Sequence, residues 1–361
     1  MLGSGEYLLT LLQDCSASLT FKRASAIGNT YRISNDIWKG WDSIWRITNE
    51  VVPYHKWTKP GAFPDMDMLT VGLGGQTSTE ERFHFSLWAI IKSPLIIGAS
   101  VAGTNLPADS KAILSNKEVI AINQDALGKG AQLVRRFGPE QYDIWAGELS
   151  GARKVVAITN WKNSSQTVTL DLRSVGVTSA KARDIWAARD LGTLAKSHTF
   201  HLAAHELKLL VLSRIKEAAA YKSAGYYSAA AATLGGSASL TTCASGQCLP
   251  TGKKVGSIGA GASVVFSNVA VKSKKAVVVG VDFINYDIIY WVGDNTRNVS
   301  ISVNGGEAKA WPFPISGGSW FETGRLTVEL DGFVKGARNN VTFTNVGTGW
   351  AAELVGIEIL E

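Results

Sequence analysis

The sequence has no run approaching the roughly 18 apolar residues that a membrane-spanning helix requires, so no membrane partner is expected. It is equally poor in concentrated charge. The formal net charge is +6, and the densest basic cluster, Lys272-Ser273-Lys274-Lys275, reads as a solvated loop. No basic stripe with interleaved aromatics appears, which argues against a nucleic-acid partner. There are three cysteines. Cys243 and Cys248 stand in Cys-Ala-Ser-Gly-Gln-Cys, a spacing that a short-loop disulfide can close, and Cys15 is left over. A secretory leader is also missing: Tyr7 to Leu12 is too short for an apolar leader core, and no basic segment precedes it.

Three Asn-x-Ser/Thr sequons begin at Asn163, Asn298 and Asn340. Together with a disulfide they point to a secreted protein. A secreted-looking body without a leader is read as a chain lacking its N-terminus.

With 361 residues, two or three domains are expected. An apolar share of 45% and a charged share of 18% suit buried cores. The twelve tryptophans are many; Trp can stack on sugar rings, but its commonest role is packing.

Residues 1 to about 125 read as mixed helix and loop. A helix is expected from Thr77-Ser78, where Ser78 and Glu81 match a capping box. Phe83, Leu87, Ile90 and Ile91 continue it and Pro94 bounds it. A second helix is expected over Ala108 to Leu114. From Gln132 to Leu212 the pattern changes to short strands: 142–145, 154–160, 167–172 and 207–212. Residues 213 to about 226, rich in Ala, Lys and Ser, read as a linker. Strands are expected again at 264–269, 276–283, 299–303, 326–330 and 341–344, with Asn304-Gly305 as a hairpin turn.

Three constellations could carry chemistry. Arg32 stands four residues before Asp36, with Asp65 and Asp67 downstream in Phe63-Pro64-Asp65-Met66-Asp67-Met68-Leu69. Glycosidases use two carboxylates, one to protonate the leaving oxygen and one to attack carbon or activate water. The alternative is a surface ion pair for Arg32 and Asp36 and a turn or helix cap for Asp65. His198, His201 and His205 would share one face of a helix and suggest a metal. Their surroundings read instead as strand and turn, on which His198 and His201 point to opposite faces. Gly72-Leu73-Gly74-Gly75 lacks the strand–turn–helix context of a dinucleotide loop and reads as structural.

An ordered set of motifs then becomes recognisable: Asn29-Thr30-Tyr31-Arg32-Ile33-Ser34-Asn35-Asp36-Ile37, Pro60-Gly61, Asp65 to Gly72, Glu80-Glu81-Arg82, Leu87-Trp88-Ala89, Lys92-Ser93-Pro94-Leu95 and Ala121 to Gly128. Over about residues 25 to 213 it resembles the α-galactosidases of glycoside hydrolase family 27, most of all the fungal branch. The resemblance implies a (β/α)8 barrel followed by an antiparallel β domain. It implies that Asp36 is the acid/base, that Arg32 orients it and contacts the sugar, and that Asp67 and Met68 lie at the galactose pocket. The chemistry implied is retaining double displacement on an α-galactoside or polysaccharide, without a cofactor or metal.

The chain departs from that pattern. It has no Lys-Tyr-Asp-Asn-Cys-like segment to supply the nucleophile, and the early Asp pair and Trp are missing. Asp14-Cys15-Ser16 only echoes the usual Cys-Glu/Asn-Trp run, and Pro64 replaces a usual Asn. Residues 226 to 361 resemble a family 35 carbohydrate-binding module through Ala232 to Ala238, Lys253 to Gly259, Ile301 to Gly306 and Gly349-Trp350-Ala351. Ser228, Ala230 and Val355 occupy positions where that family carries calcium carboxylates, so no calcium is expected there. Trp350 and Asn345 are sugar-contact candidates, with core packing the preferred role for Trp350.

The expected architecture is multidomain: the later part of a truncated (β/α)8 barrel over 1–125, an antiparallel β-sandwich over 126–213, a linker over 214–226, and a carbohydrate-binding β-sandwich over 227–361. The expected function is that of a secreted α-galactosidase lacking its nucleophile and inactive alone. The alternative is a non-catalytic galactoside-binding protein or a gene-model fragment.

Overall fold

The computed structural model describes residues 28–361, except 103–104, 273–275 and 289–292. Cys15, the Asp14-Cys15-Ser16 segment and part of the Lys272–Lys275 cluster lie outside the described residues. The described chain falls into two compact units, one built mainly from residues 28–134 and 142–219, the other from 135–141, 220–288 and 295–361.

The first unit opens with two short parallel strands, β1 (Thr30–Arg32) and β2 (Phe63–Asp65), in register from Thr30 opposite Phe63 to Arg32 opposite Asp65. A parallel bridge between Leu69 and Ile97 extends the same pattern. Between the strands lies helix α1 (Trp41–Val51), amphipathic, with Ile44, Ile47 and Val51 inward. Helix α2 (Ser78–Ile91) begins at a capping box one residue earlier than the sequence reading: Thr77 is the cap and Glu80 its partner. The shift frees Glu81 for the interior, where it accepts from Gly72 N at 2.8 Å and Ser110 Oγ at 2.7 Å. Gly72 has φ +85°, a conformation that favours glycine. Helix α2 ends at Lys92, left-handed at φ +70°, directly before Ser93-Pro94. Helices α3 (Ala108–Leu114) and α4 (Lys117–Asn123) follow, the latter capped by Asn116. No helix among the described residues is long and apolar enough to cross a membrane.

The chain then turns into antiparallel sheet: β3 (Gln132–Phe137), β4 (Tyr142–Leu149), β5 (Arg153–Asn160), β6 (Gln166–Asp171), β7 (Val177–Asp184), β8 (Arg189–Ala195), β9 (Ser197–Leu202) and β10 (Leu207–Glu217). Six of them form one sheet in the order β3-β4-β5-β10-β7-β8, and β6 pairs with β9. Within this unit one apolar core runs from Tyr31, Ile44 and Trp88 to Trp145, Val155 and Leu209. An aromatic knot stitches it: Trp161 lies 4.5 Å from Trp45, 4.7 Å from Phe83 and 5.4 Å from Trp41, centroid to centroid. Most tryptophans of this unit are thus packing groups, each worth about 2–3 kcal/mol by burial.

The second unit holds β11 (Ser223–Ser228), β12 (Thr233–Gly235), β13 (Ser239–Thr242), β14 (Lys253–Gly256), β15 (Ser263–Val271), β16 (Val277–Ile284), β17 (Arg297–Val303), β18 (Lys309–Phe313), β19 (Gly324–Leu330), β20 (Gly336–Thr344) and β21 (Glu353–Leu360). They form two sheets, β13-β14-β21-β16-β19 with β11 on β21, and β12-β15-β20-β17-β18. Alternate residues face inward, and Phe283 of β16 meets Phe313 of β18 edge-on at 4.9 Å. Asn304 and Gly305 have φ of +53° and +73°, as the hairpin reading requires, in a loop longer than two residues. Cys243 and Cys248 form the expected disulfide.

Candidate functional site

The first unit brings Arg32, Asp36 and Asp67 together. Arg32 ends β1, and Asp67 follows the end of β2, the neighbouring parallel strand. Both loops therefore leave the same, C-terminal edge of the sheet, where enzymes of barrel architecture place their chemistry. One guanidinium nitrogen, Arg32 Nη2, donates to Asp36 Oδ1 at 3.0 Å and to Asp67 Oδ2 at 2.5 Å. The two carboxylates differ in exposure: the Asp36 side chain is 78% exposed, that of Asp67 is 8%.

Asp67 is saturated by its own loop. Its Oδ2 also accepts from Ile37 N at 2.7 Å, and its Oδ1 accepts from Met68 N at 2.7 Å. Its carbonyl takes the indole N–H of Trp88 at 2.8 Å, and its amide donates to Asp65 Oδ1 at 2.9 Å. These contacts hold Asp67 at φ +77°, a conformation that a non-glycine residue keeps only when its surroundings impose it. Burial raises the Asp65 carboxyl above its ordinary value, opposed by the hydrogen bond from Asp67 N. Met68 is 44% exposed, and its thioether packs over Gly98, where a Cβ would lie 2.8 Å from Met68 Sδ.

Arg46 escaped sequence reasoning. It lies on α1, fully buried, and its Nη2 donates to the carbonyls of Asn35 at 3.2 Å and Asp36 at 2.9 Å. The guanidinium carbon sits 4.8 Å from the Trp38 ring centroid. Burial lowers its pKa, with Glu50 opposing. The available signal was a lone arginine on the apolar side of an amphipathic helix.

The histidines do not converge. His198 and His201 lie on β9, opposite Leu170 and Thr167. His205, in the turn after β9, stacks on Trp41 at 3.9 Å and bonds Glu80 through Nδ1 and Asn163 through Nε2, both at 2.6 Å. Among the described residues no group of three His, Cys, Asp or Glu side chains could hold a metal. Asn163, Asn298 and Asn340 are all exposed.

In the second unit Trp350 departs from its expected core role, being 56% exposed. It stands over Gly259, where a Cβ would lie 3.1 Å from its ring. Asn345 is buried and committed: its amide nitrogen donates to Ile258 O at 2.9 Å and Gly349 O at 2.7 Å, and its oxygen accepts from Gly347 N at 2.9 Å. It clamps the loop carrying Trp350. Val355 packs with Cys248 and Ile284 in a small apolar cluster.

Comparison with known proteins places the chain among relatives. A family model described as alpha galactosidase A matches residues 9–125, and one described as the alpha galactosidase C-terminal beta sandwich domain matches residues 139–212. A probable alpha-galactosidase D of Aspergillus fumigatus is 32% identical, covering 97% of this chain and 70% of its own. That alignment runs over 459 positions, more than the 361 residues of the chain, so the relative carries segments inside the matched stretch that have no counterpart here. An alpha-galactosidase D of Emericella nidulans is 29% identical over the same shares.

Among solved structures, alpha-galactosidase I of Mortierella vinacea superposes with a TM-score of 0.52 at 29% identity, covering 55% of this chain and 56% of that one. The Saccharomyces cerevisiae α-galactosidase determined with raffinose gives 0.52 at 26% identity, covering 55% and 62%. The chain therefore spans just over half of the Mortierella enzyme. With matches over both the helical segment and the antiparallel sheet that follows it, the chain belongs to the α-galactosidase family.

Proposed function

We propose that this chain carries the acid/base side of an α-galactoside hydrolase site, with Asp36 as acid/base, Arg32 as its orienting cation and sugar contact, and Asp67 and Met68 at the sugar pocket. The observation that carries the reading is the shared Arg32 donor, which leaves Asp36 exposed and Asp67 buried. In double displacement Asp36 would protonate the glycosidic oxygen as its bond to the anomeric carbon breaks, then take a proton from the water that releases the glycosyl group. The attacking carboxylate belongs to a segment without a counterpart in this sequence. Asp67 is a poor substitute, because both its oxygens are already engaged.

In this reading residues 1–125 are the later part of a truncated barrel, 126–213 its β domain and 227–361 a carbohydrate-binding sandwich, with the expected linker 214–226 cut back to the residues between β10 and β11, 218–222. The disulfide and the three exposed sequons support a secreted protein. One carboxylate cannot complete double displacement, so the purified chain should not turn over 4-nitrophenyl α-D-galactopyranoside. Measurable turnover that disappears in Asp36→Asn would overturn the inactive reading.

A second reading, galactoside binding without catalysis, is favoured by exposed Trp350, whose flat face is free to stack on a sugar ring. Calorimetric titration of the intact chain with galacto-oligosaccharides decides it; no heat leaves this reading without support.

A further inference from the structure

The first unit contains a groove of about 550 Å³ that takes no part in the site above. Its volume lies in the range of small-ligand sites, about 300–1,000 Å³. One wall is the turn between β4 and β5, where Gly151 and Ala152 both have positive φ. The other is the end of β10, where the register against β7 shifts between Ser213 and Lys216. Bulges of this kind re-aim side chains. Arg214 sits in the bulge at φ +48°, a conformation costing a non-glycine residue about 1–2 kcal/mol, and it lines the groove.

The charges of the groove are unequally matched. Arg153 is paired with Asp125 at 3.2 Å, and Glu148 with Lys129 at 2.6 Å. The Lys154 ammonium donates to Val175 O at 2.9 Å and lies in the field of Glu148, its partner across the β4–β5 pair. Arg214 is exposed, with no ion-pair or hydrogen-bond partner among the described residues. Glu217, also exposed, has no ion pair there. The groove thus offers an unengaged guanidinium fork and a carboxylate acceptor, flanked by the hydrocarbon of Leu127 and Ile215.

We propose that this groove is a secondary binding site for an acidic saccharide, a uronic-acid-bearing oligomer. The Arg214 fork takes the sugar carboxylate, Lys154 adds to the positive field, Glu217 accepts ring hydroxyls, and the apolar flanks cover the ring faces. A neutral sugar would leave the fork unmatched, and a bare anion would leave Glu217 opposed to it. The site uses none of Arg32, Asp36 or Asp67, so it stands whether or not the chain hydrolyses galactosides.

The test is calorimetric titration of the intact chain with tri-galacturonate, at low and at high salt. Binding should weaken as salt rises, and at least tenfold in Arg214→Gln. Arg214→Gly provides an independent variant: glycine suits the positive φ of the bulge, so the fold is kept while the fork is lost, and the same loss is expected. The proposal fails if no heat is seen at millimolar tri-galacturonate, or if both variants bind as the parent does. It also fails if neutral galactotriose displaces tri-galacturonate at equal concentration, a competition that sugar bound at Trp350 would not produce, or if inorganic phosphate does so, which would make the groove a general anion site.

Discussion

Arg32 donates the same guanidinium nitrogen to Asp67 at 2.5 Å and to Asp36 at 3.0 Å, so the buried carboxylate fixes the cation that faces the exposed one. Asp67 also receives Ile37 N, and therefore grips the Asp36 loop on both sides. Asp67→Asn keeps an acceptor for Ile37 N but leaves Arg32 without its buried counter-charge. Removing one partner of such a pair costs about 3 kcal/mol, and the variant should lose that much in urea unfolding. A change below about 0.5 kcal/mol, the range of ordinary surface substitutions, would show that the pair is not a structural clamp.

Acid sensitivity should trace in part to His84. Full burial pushes its imidazole down to about 3, while Nδ1 meets Thr70 Oγ1 at 3.2 Å. The native state holds it neutral and the unfolded chain protonates it near pH 6.5. Below pH 6.5 the unfolded state binds more protons, so this group removes stability progressively down to about pH 3. The stability of the parent minus that of His84→Gln should fall as pH drops from 7 to 4, since carboxylate titration is common to both and cancels. A difference independent of pH would refute the assignment.

The disulfide closes a short loop from Cys243 to Cys248. Loop entropy for so small a ring gives about 2 kcal/mol. Replacing both cysteines by serine should lower the stability of the second unit by that amount, seen as an earlier transition of its tryptophan signal, with the first unit unchanged.

Trp350→Ala should leave thermal stability nearly unchanged, because the side chain is 56% exposed and its loop is held by Asn345. If the second unit binds galacto-oligosaccharides through this ring, stacking on an aromatic face predicts a binding loss of tenfold or more. Asn345→Ala should behave oppositely, melting the loop and lowering stability, since it strips three hydrogen bonds at a buried position.

Much of the sheet was legible because alternation is a local signal: 154–160 and 264–269 appear as β5 and β15 within a residue or two. The capping box was found but misplaced by one, since both Thr77-Glu80 and Ser78-Glu81 have the required spacing. What decides between them is tertiary, namely the buried partners Gly72 and Ser110 waiting for Glu81. Arg32 and Asp36 were legible as a pair, but spacing could not show that Asp67 would complete it across 35 residues. Arg46 and the Trp350 loop were illegible for the same reason: their roles depend on backbone carbonyls and neighbours brought in by the fold. Residues 213–217, compositionally linker-like, instead continue β10 because they pair with β7.

The aromatic knot around Trp161 has a genetic consequence. Trp41 and Trp45 come from the helical segment, Trp161 from the end of β5, and His205 stacks on Trp41 from a turn 164 residues later. Neither segment owns the surfaces that bury these rings. A recombination breakpoint near residue 125 would therefore separate two halves of one interlocked surface, and either segment alone would expose the rings that the other covers.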